Sequence, residues 1–283
     1  MEILNNAIAG DINAFQTLFA EFQPQLKSYL YRLLADRNDV DDLTHDTFIR
    51  AFSKISTFNQ ESSLKTWVFT IATNLAYDHL RKAKRWPTDA QDQGSNLARG
   101  SDEIKQAFRI INQTSNAGVY EMREHIEFCF TCISKTLPIE NQVVLMLKDI
   151  YDFQIKEICP IIEKTEGVVK HLLLEARKTM MEIYEHRCAL INKQGVCHQC
   201  SHLNEIFNPK QDQQEQLMKL ELVKESKKYN REELFNLREI LVKAIDPLHA
   251  AGTDFHDSLM RCTRTAIGEK NSFFDLPPKN PQP

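Results

Sequence analysis

An all-α fold is predicted: two small helical domains joined by a flexible linker, the second a helix-turn-helix, then a helical C-terminal extension. Three observations carry this. Only 8 of 283 residues are glycine. Apolar residues recur at helical spacing, and few runs alternate as a half-buried strand would. The composition, 42% hydrophobic and 26% charged, is that of a globular chain long enough for two domains. No segment approaches the apolar length of a membrane span. The start, MEILNNAIAGD, carries acid where a signal peptide carries basic charge. A cytoplasmic protein without membrane contact is therefore expected. The net charge of −4 leaves nucleic-acid binding open, because what matters is whether cations cluster on one surface.

Residues Ala14–Leu34 place Phe15, Leu18, Phe19, Phe22, Leu26, Tyr29, Leu30 and Leu33 on an amphipathic helix, or a pair of helices adjusted at Pro24. A second helix is predicted over Asp39–Ile55, with Asp39, Asp41 and Asp42 in a first turn where the helix dipole favours negative charge. After a polar break at Phe58–Ser63 comes TWVFTIATNLAYDHLRKAKR, a third helix with Trp67, Ile71, Leu75 and Leu80 as core contacts. From Trp86 to about Tyr120, Pro, Gly, Ser and Asp follow in the composition of a linker. Helical period returns over Met122–Leu137 and Ile139–Tyr151. Gln154–Ile162 and Glu166–Tyr184, separated by Glu163–Thr165, have the pattern of a helix-turn-helix. Beyond Cys188 lie a Cys-rich knot and helical stretches at about Gln211–Ile245 and Ala250–Ile267. The end, PPKNPQP, reads as disordered.

The third helix begins with aromatics and ends in Arg81, Lys82, Lys84 and Arg85. An exposed aromatic can stack on an unpaired base while cations follow phosphates, at about 1–3 kcal/mol per stacked base. Core packing and a solvated basic helix end explain the same residues, since cations favour helix C-termini anyway.

The wider pattern decides between these. DVDDLTHDTFIRAFSKISTF, SSLKTWVFTIATNLAYDHLRKAKR and LPIENQVVLMLKDIYDFQIKEICPIIEKTEGVVKHLLLEARKTM follow one another with a linker before the last. Over roughly Phe15–Tyr184 the chain resembles the bacterial RNA polymerase sigma factors, of the small two-domain, extracytoplasmic-function (ECF) type. The motifs D-x-D-D-L-x-x-D-x-F, S-S-x-K-T-W and I-A-x-N-x-x-x-D-x-x-R carry the resemblance. It implies a non-enzymatic factor that binds core RNA polymerase and promoter DNA and helps to open the −10 element. It implies domains at 1–86 (polymerase and −10 element) and 122–187 (−35 element), a linker at 87–121, a Cys-rich knot at 188–204 and an extension at 205–283.

By the same resemblance, Asp41, Asp42, His45, Asp46 and Arg50 form a polymerase-facing side of the second helix, with His45 where a glutamine is common. Asn59, Ser62, Ser63, Lys65, Trp67 and Asn74 become candidates for base or backbone contact at the −10 element, and Arg81, Lys82, Lys84 and Arg85 for phosphates. Trp67, at core spacing, is expected to pack rather than stack. In the helix-turn-helix, Lys164, Thr165, Lys170, His171 and Arg177 are the side chains placed for −35 DNA. Leu172 and Glu175 stand where many relatives carry basic residues, Glu166 adds negative charge, and Pro160 interrupts the supporting helix. Fewer cations release fewer counterions, so weak −35 binding that relies on polymerase or another partner is expected.

The knot RCALINKQGVCHQCSHLN holds Cys188, Cys197, Cys200 and His202, a candidate zinc set, with Cys129 and Cys132 as alternative ligands. Reduced cysteines packed as small hydrophobes and a redox-sensing dithiol are the competing explanations. No cofactor is otherwise required. The extension, with Leu234, Leu237, Ile240, Leu241 and Ile245 as its stripe, is expected to fold back on the second domain or to dock an anti-sigma protein or another DNA-targeting factor. The alternatives to a sigma factor are a stand-alone helix-turn-helix regulator of duplex DNA and a zinc- or redox-dependent interaction protein. No nucleophile–base pair, phosphate-cradling glycine loop or H-E-x-x-H helix marks an enzyme.

Overall fold

The computed structural model describes residues 2–82, 85–114, 122–188, 228–249 and 253–274, and all regular structure among them is helical. In chain order the helices are α1 (Glu2–Ile8), α2 (Ile12–Leu34), α3 (Arg37–Lys54), α4 (Leu64–Leu80), α5 (Ala90–Gly100), α6 (Asp102–Thr114), α7 (Met122–Ser134), α8 (Ile139–Leu145), α9 (Ile155–Ile162), α10 (Glu166–Arg187), α11 (Arg231–Lys243) and α12 (Thr253–Ala266). A 3₁₀ turn, Ile55–Thr57, follows α3, and a π-turn, Met146–Ile150, follows α8. The expected end, 277–283, and the stretch 189–227 lie outside the described residues.

Two compact units form. The first comprises residues 1–84, 137–179 and 246–248; the second comprises 85–136, 180–245 and 249–283. In the first, the chain turns sharply between α2 and α3 because both ends are capped. Ala35 takes the left-handed conformation at φ 56° and donates its N–H to the Tyr31 carbonyl, and Asp36 accepts from the backbones of Asn38 and Asp39. This moves the start of α3 ahead of the expected Asp39 and leaves Asp39 as the acid of its first turn. Pro24 lies inside an unbroken α2: Phe22 and Leu26 on either side are buried, and their packing offsets the missing hydrogen bond. Phe15 and Phe19 meet Phe48 at 5.3 and 5.2 Å between ring centroids, and Phe15 meets Phe52 at 5.6 Å, which locks α2 to α3. Ser63 caps α4 by accepting from the Thr66 N–H.

The inner face of α4 is Val68, Phe69, Ala72, Thr73, Leu75, Ala76 and Leu80. The expected core positions Trp67 and Ile71 are only half-buried. The apolar stripe therefore sits about one residue round from its expected place, because Thr73 joins it through a 2.9 Å hydrogen bond to the buried Tyr29 hydroxyl.

The same unit contains α8, the π-turn, α9 and most of α10. Glu163, left-handed at φ 55°, turns the chain from α9 to α10, and the Lys164 N–H closes on the Cys159 carbonyl. Pro160 does not interrupt α9; the helix runs through it to Ile162.

In the second unit, the stretch expected to be a flexible linker carries α5 and α6. Its small residues gave little periodic signal, yet Ala90, Gly94 and Ala98 repeat at i, i+4, i+8 as a buried stripe against α12. A Cβ on Gly94 would stand 2.6 Å from Thr263 Oγ1 and 2.8 Å from its Cα, so the close approach requires glycine. Ile104 and Phe108 bury the inner face of α6. Trp86 is also buried. Its backbone N–H meets the Lys135 carbonyl, its indole N–H donates to Glu269 at 2.8 Å, and Glu269 pairs with Arg264 at 3.1 Å. The extension thus packs back on the chain, α12 on α5 and α6, and α11 on α7. The buried face of α11 is Leu234, Phe235, Arg238 and Val242, with the Arg238 guanidinium 4.0 Å over the Tyr184 ring. Leu237 and Ile240 of the expected stripe are exposed.

Two substitutions test this packing. Ala35→Gly removes the left-handed strain and is expected to raise unfolding stability by about 1 kcal/mol in urea titration. Gly94→Ala is expected to cost about 1–3 kcal/mol in the second unit and to speed amide exchange along α12.

Candidate nucleic-acid interface

The exposed line of α4 follows from its capped start and its buried inner face. Trp67, Ile71, Asn74, Asp78 and Arg81 succeed one another at spacings of four and three, so they share one flank. Trp67 is half-buried with its ring 5.4 Å from buried Phe58, leaving part of the indole at the surface. Asn74, Arg81 and Lys82 are exposed, and Arg81 reaches Asp78 at 3.3 Å. The preceding loop presents Asn59 and Ser63 to solvent, with Ser62 half-buried; Asn59 accepts from the Glu61 N–H, and Gln60 is left-handed at φ 60°. Lys65 is half-buried, with its ammonium 4.7 Å from the Phe153 ring centroid and 5.8 Å from that of Phe69. Burial holds the Lys65 pKa below the ordinary lysine value. Arg85 is exposed but belongs to the second unit, and Lys84 lies outside the described residues.

A separate face lies on α3. Asp41, Asp42, His45, Asp46 and Arg50 are all exposed, and Asp41 pairs with Lys27 at 2.6 Å. Ile49, half exposed on the same face, escaped the sequence reading, although it follows Asp42, His45 and Asp46 at helical spacing.

The side chains predicted for −35 DNA lie on α10 and on the turn before it. Lys164, Thr165, Lys170 and His171 are exposed. Lys164 pairs with Glu140 at 3.3 Å and Lys170 with Glu166 at 3.4 Å, which tempers their positive field. Arg177 is exposed too but held differently: its guanidinium grips Asp149, at 2.8 and 2.5 Å, and the Asp149 side chain is buried. That pair ties α10 to the π-turn, a partner invisible from the sequence. Val168 and Leu174 are exposed apolar residues on α10 that were not singled out before; apolar side chains can meet thymine methyls in a major groove.

Of the candidate zinc ligands, Cys197, Cys200 and His202 lie outside the described residues. Cys188, Cys129 and Cys132 are buried in the second unit. Cys132 Sγ contacts Met260 Sδ at 3.5 Å, and burial pushes its thiol well above the ordinary value. Burial pushes the Cys262 thiol, which donates to the Gly94 carbonyl, up to about 12. These are thiols packed as small hydrophobes. Among the described residues, no three His, Cys, Asp or Glu side chains group as a metal site. Among the same residues, no helix is long and apolar enough to cross a membrane.

Because Arg177 supplies hydrogen bonds to the buried Asp149 side chain, Arg177→Ala is expected to lower stability by about 1–3 kcal/mol in urea titration. Lys170→Ala, at an exposed pair, should stay within about 0.5 kcal/mol.

Residues 18–86, spanning most of α2, all of α3 and α4 and the loops between them, match the family Sigma-70 region 2. The ECF RNA polymerase sigma factor BldN of Streptomyces coelicolor is 26% identical over 184 residues, covering 65% of each chain. The match thus spans less than two thirds of that relative's length. The RNA polymerase sigma-H factor of Pseudomonas aeruginosa is 22% identical, over 63% of this chain and 90% of the relative. The ECF RNA polymerase sigma factor SigW of Bacillus subtilis is 27% identical, over 60% of this chain and 89% of the relative. The solved sigma factor RpoE, in complex with the anti-sigma factor NepR from Bartonella quintana, aligns with a TM-score of 0.44 at 20% identity, over 62% of this chain and 98% of that one. Residues 18–86 thus match Sigma-70 region 2, and the relatives the chain resembles are RNA polymerase sigma factors, several of the extracytoplasmic-function type.

Proposed function

We propose that this chain binds core RNA polymerase in the cytoplasm, directs it to promoters and helps to open the −10 element, catalysing no reaction itself. The observation that carries this is the flank of α4. There a part-exposed indole, an exposed amide and an exposed guanidinium follow one another beside a polar loop, within the region 2 match. That combination suits a displaced single strand: stacking and amide contacts hold a base, and cations follow the backbone. Asn59, Ser62, Ser63 and Lys65 belong to the same surface, with Arg81, Lys82, Lys84 and Arg85 for phosphates. The α3 face of Asp41, Asp42, His45, Asp46 and Arg50, with Ile49 at its centre, is assigned to polymerase. An apolar anchor ringed by charge is the usual anatomy of a docking surface.

Residues 1–86 then form the polymerase and −10 half, and 122–187 the −35 half. Lys164, Thr165, Lys170, His171 and Arg177 meet duplex DNA, with Arg177 also braced by Asp149. The paired lysines fit weak −35 binding that depends on polymerase. A stand-alone regulator of duplex DNA leaves the α4 flank and the α3 face without a role.

Run-off transcription with core polymerase, on a library of promoters carrying a premelted −10 bubble, tests the reading. Alanine at Trp67, Asn74 or Arg81 is expected to lower opening of the fully paired template about tenfold, a loss in the range of one stacked base. The same variants are expected to reduce opening more than initial duplex binding. Absence of any promoter-dependent transcript with the wild-type chain overturns the assignment.

A further inference from the structure

We propose that the outer face of α10 reads the bases of the −35 duplex through a carboxylate and an apolar side chain, leaving the cations to the phosphates: Glu175 selects a cytosine, and Leu174 takes the methyl group of a neighbouring thymine. The proposal rests on the function assigned above.

The face follows from what α10 buries. Val169, Leu173, Ala176 and Met180 point inward at spacings of four, three and four, and the Asn141 amide of α8 donates to the Leu172 carbonyl at 3.0 Å. Together with the Arg177–Asp149 pair, these contacts fix the rotation of α10 about its axis. At about 3.6 residues per turn, the opposite side is centred on exposed His171, with Val168, Leu174 and Glu175 beside it at spacings of three and four. Leu174, at 65%, is the most exposed large apolar side chain among the described residues. A Cβ on Gly167, one turn before His171, would meet nothing within 4 Å, so the start of this face is open to a groove wall. Lys170 and Arg177 lie seven residues apart on its flank, where cations follow phosphates.

The chemistry of the face selects the bases. Lys164 and Lys170 are engaged by Glu140 and Glu166, whereas no ion pair among the described residues engages Glu175. An ionised carboxylate only accepts hydrogen bonds, and phosphate repels it, so in a major groove it needs a base donor. Guanine presents two acceptors there, thymine an acceptor and a methyl group, and adenine a donor beside its N7 acceptor. Cytosine presents the N4 donor alone and is the base that a carboxylate fits. Leu174, the preceding residue, carries no polar atom and fits the thymine C5-methyl. Val168 lies about 9 Å earlier along the axis at 1.5 Å per residue, more than two base-pair steps of about 3.4 Å, so it meets a separate pair. Such a face has low affinity, because few cations release few counterions, yet it discriminates, because its carboxylate is poorly matched to the other three bases.

Run-off transcription by the full chain with core polymerase, on templates randomised across the −35 region, tests this by the bases enriched among the transcribed templates. The wild type is expected to enrich cytosine at one position with thymine beside it. Glu175→Gln keeps the shape of the side chain and adds donors, so the preference at that position should move from cytosine toward adenine by about tenfold, while the other positions keep theirs. Loss of one negative charge raises binding to all templates together and leaves that ratio unchanged. Replacing the enriched thymine by deoxyuridine removes only its methyl group. Transcription should then fall about fourfold with the wild type, the worth of one buried methyl, and stay level with Leu174→Ala. Both side chains are exposed, so both variants should keep the helical circular dichroism of the wild type. Promoter-dependent run-off with no enriched cytosine, or with the same cytosine preference in Glu175→Gln, overturns the proposal and leaves the sigma-factor assignment standing. An equal deoxyuridine loss in wild type and Leu174→Ala overturns the thymine contact. Absence of any promoter-dependent transcript overturns the assignment and the proposal with it.

Discussion

A buried guanidinium organises the first unit. Arg32 sits near the end of α2 at 1% exposure, where an unmet charge would be costly. Its hydrogen bonds to Ser28 and to the Tyr151 hydroxyl, and the Tyr151 ring 5.6 Å from its carbon, meet that requirement with groups from both halves of the unit. Around it the rings of Tyr29, Phe69, Tyr151 and Phe153 form a continuous aromatic layer. Burial pushes the Tyr29 hydroxyl well above the ordinary tyrosine value, so it stays a neutral partner for Thr73. The π-turn supplies the extra residue that brings Tyr151 into register with Arg32. The pair of buried Asp149 with half-exposed Arg177 then fastens the same turn to α10.

The second unit solves a different problem, stabilising a polar stretch with little apolar surface of its own. Small residues on α5 let α12 approach closely, and Trp86 anchors the stretch through Lys135, Glu269 and Arg264. The thiols of Cys129, Cys132 and Cys262 fill the spaces that remain. The extension therefore acts first as the missing half of a core.

Charge is distributed by the same logic. Acid is gathered on the exposed face of α3, while α4 ends in exposed cations, so a chain with net charge −4 still offers a local basic surface. On α10, neighbouring carboxylates accompany the lysines, which lowers the counterion-release contribution there without removing the shape of the helix.

The sequence by itself determined the all-α class, most helix positions, the helix-turn-helix, the acidic face of α3 and the basic end of α4. Each is set by neighbours three or four residues apart, or by a cap such as Ser63, and these are read along the chain. Only the tertiary structure decided which face each helix buries. It placed Val68 and Phe69 inward with Trp67 on the flank, gave Arg177 to Asp149, and folded α5 against α12. It also laid Tyr151 and Phe153 on Arg32 and Phe69. Those outcomes depend on partners that lie tens to hundreds of residues away, such as Ser28 and Tyr151 at a separation of 123. Periodicity carries no information about which distant surface will meet a given stripe.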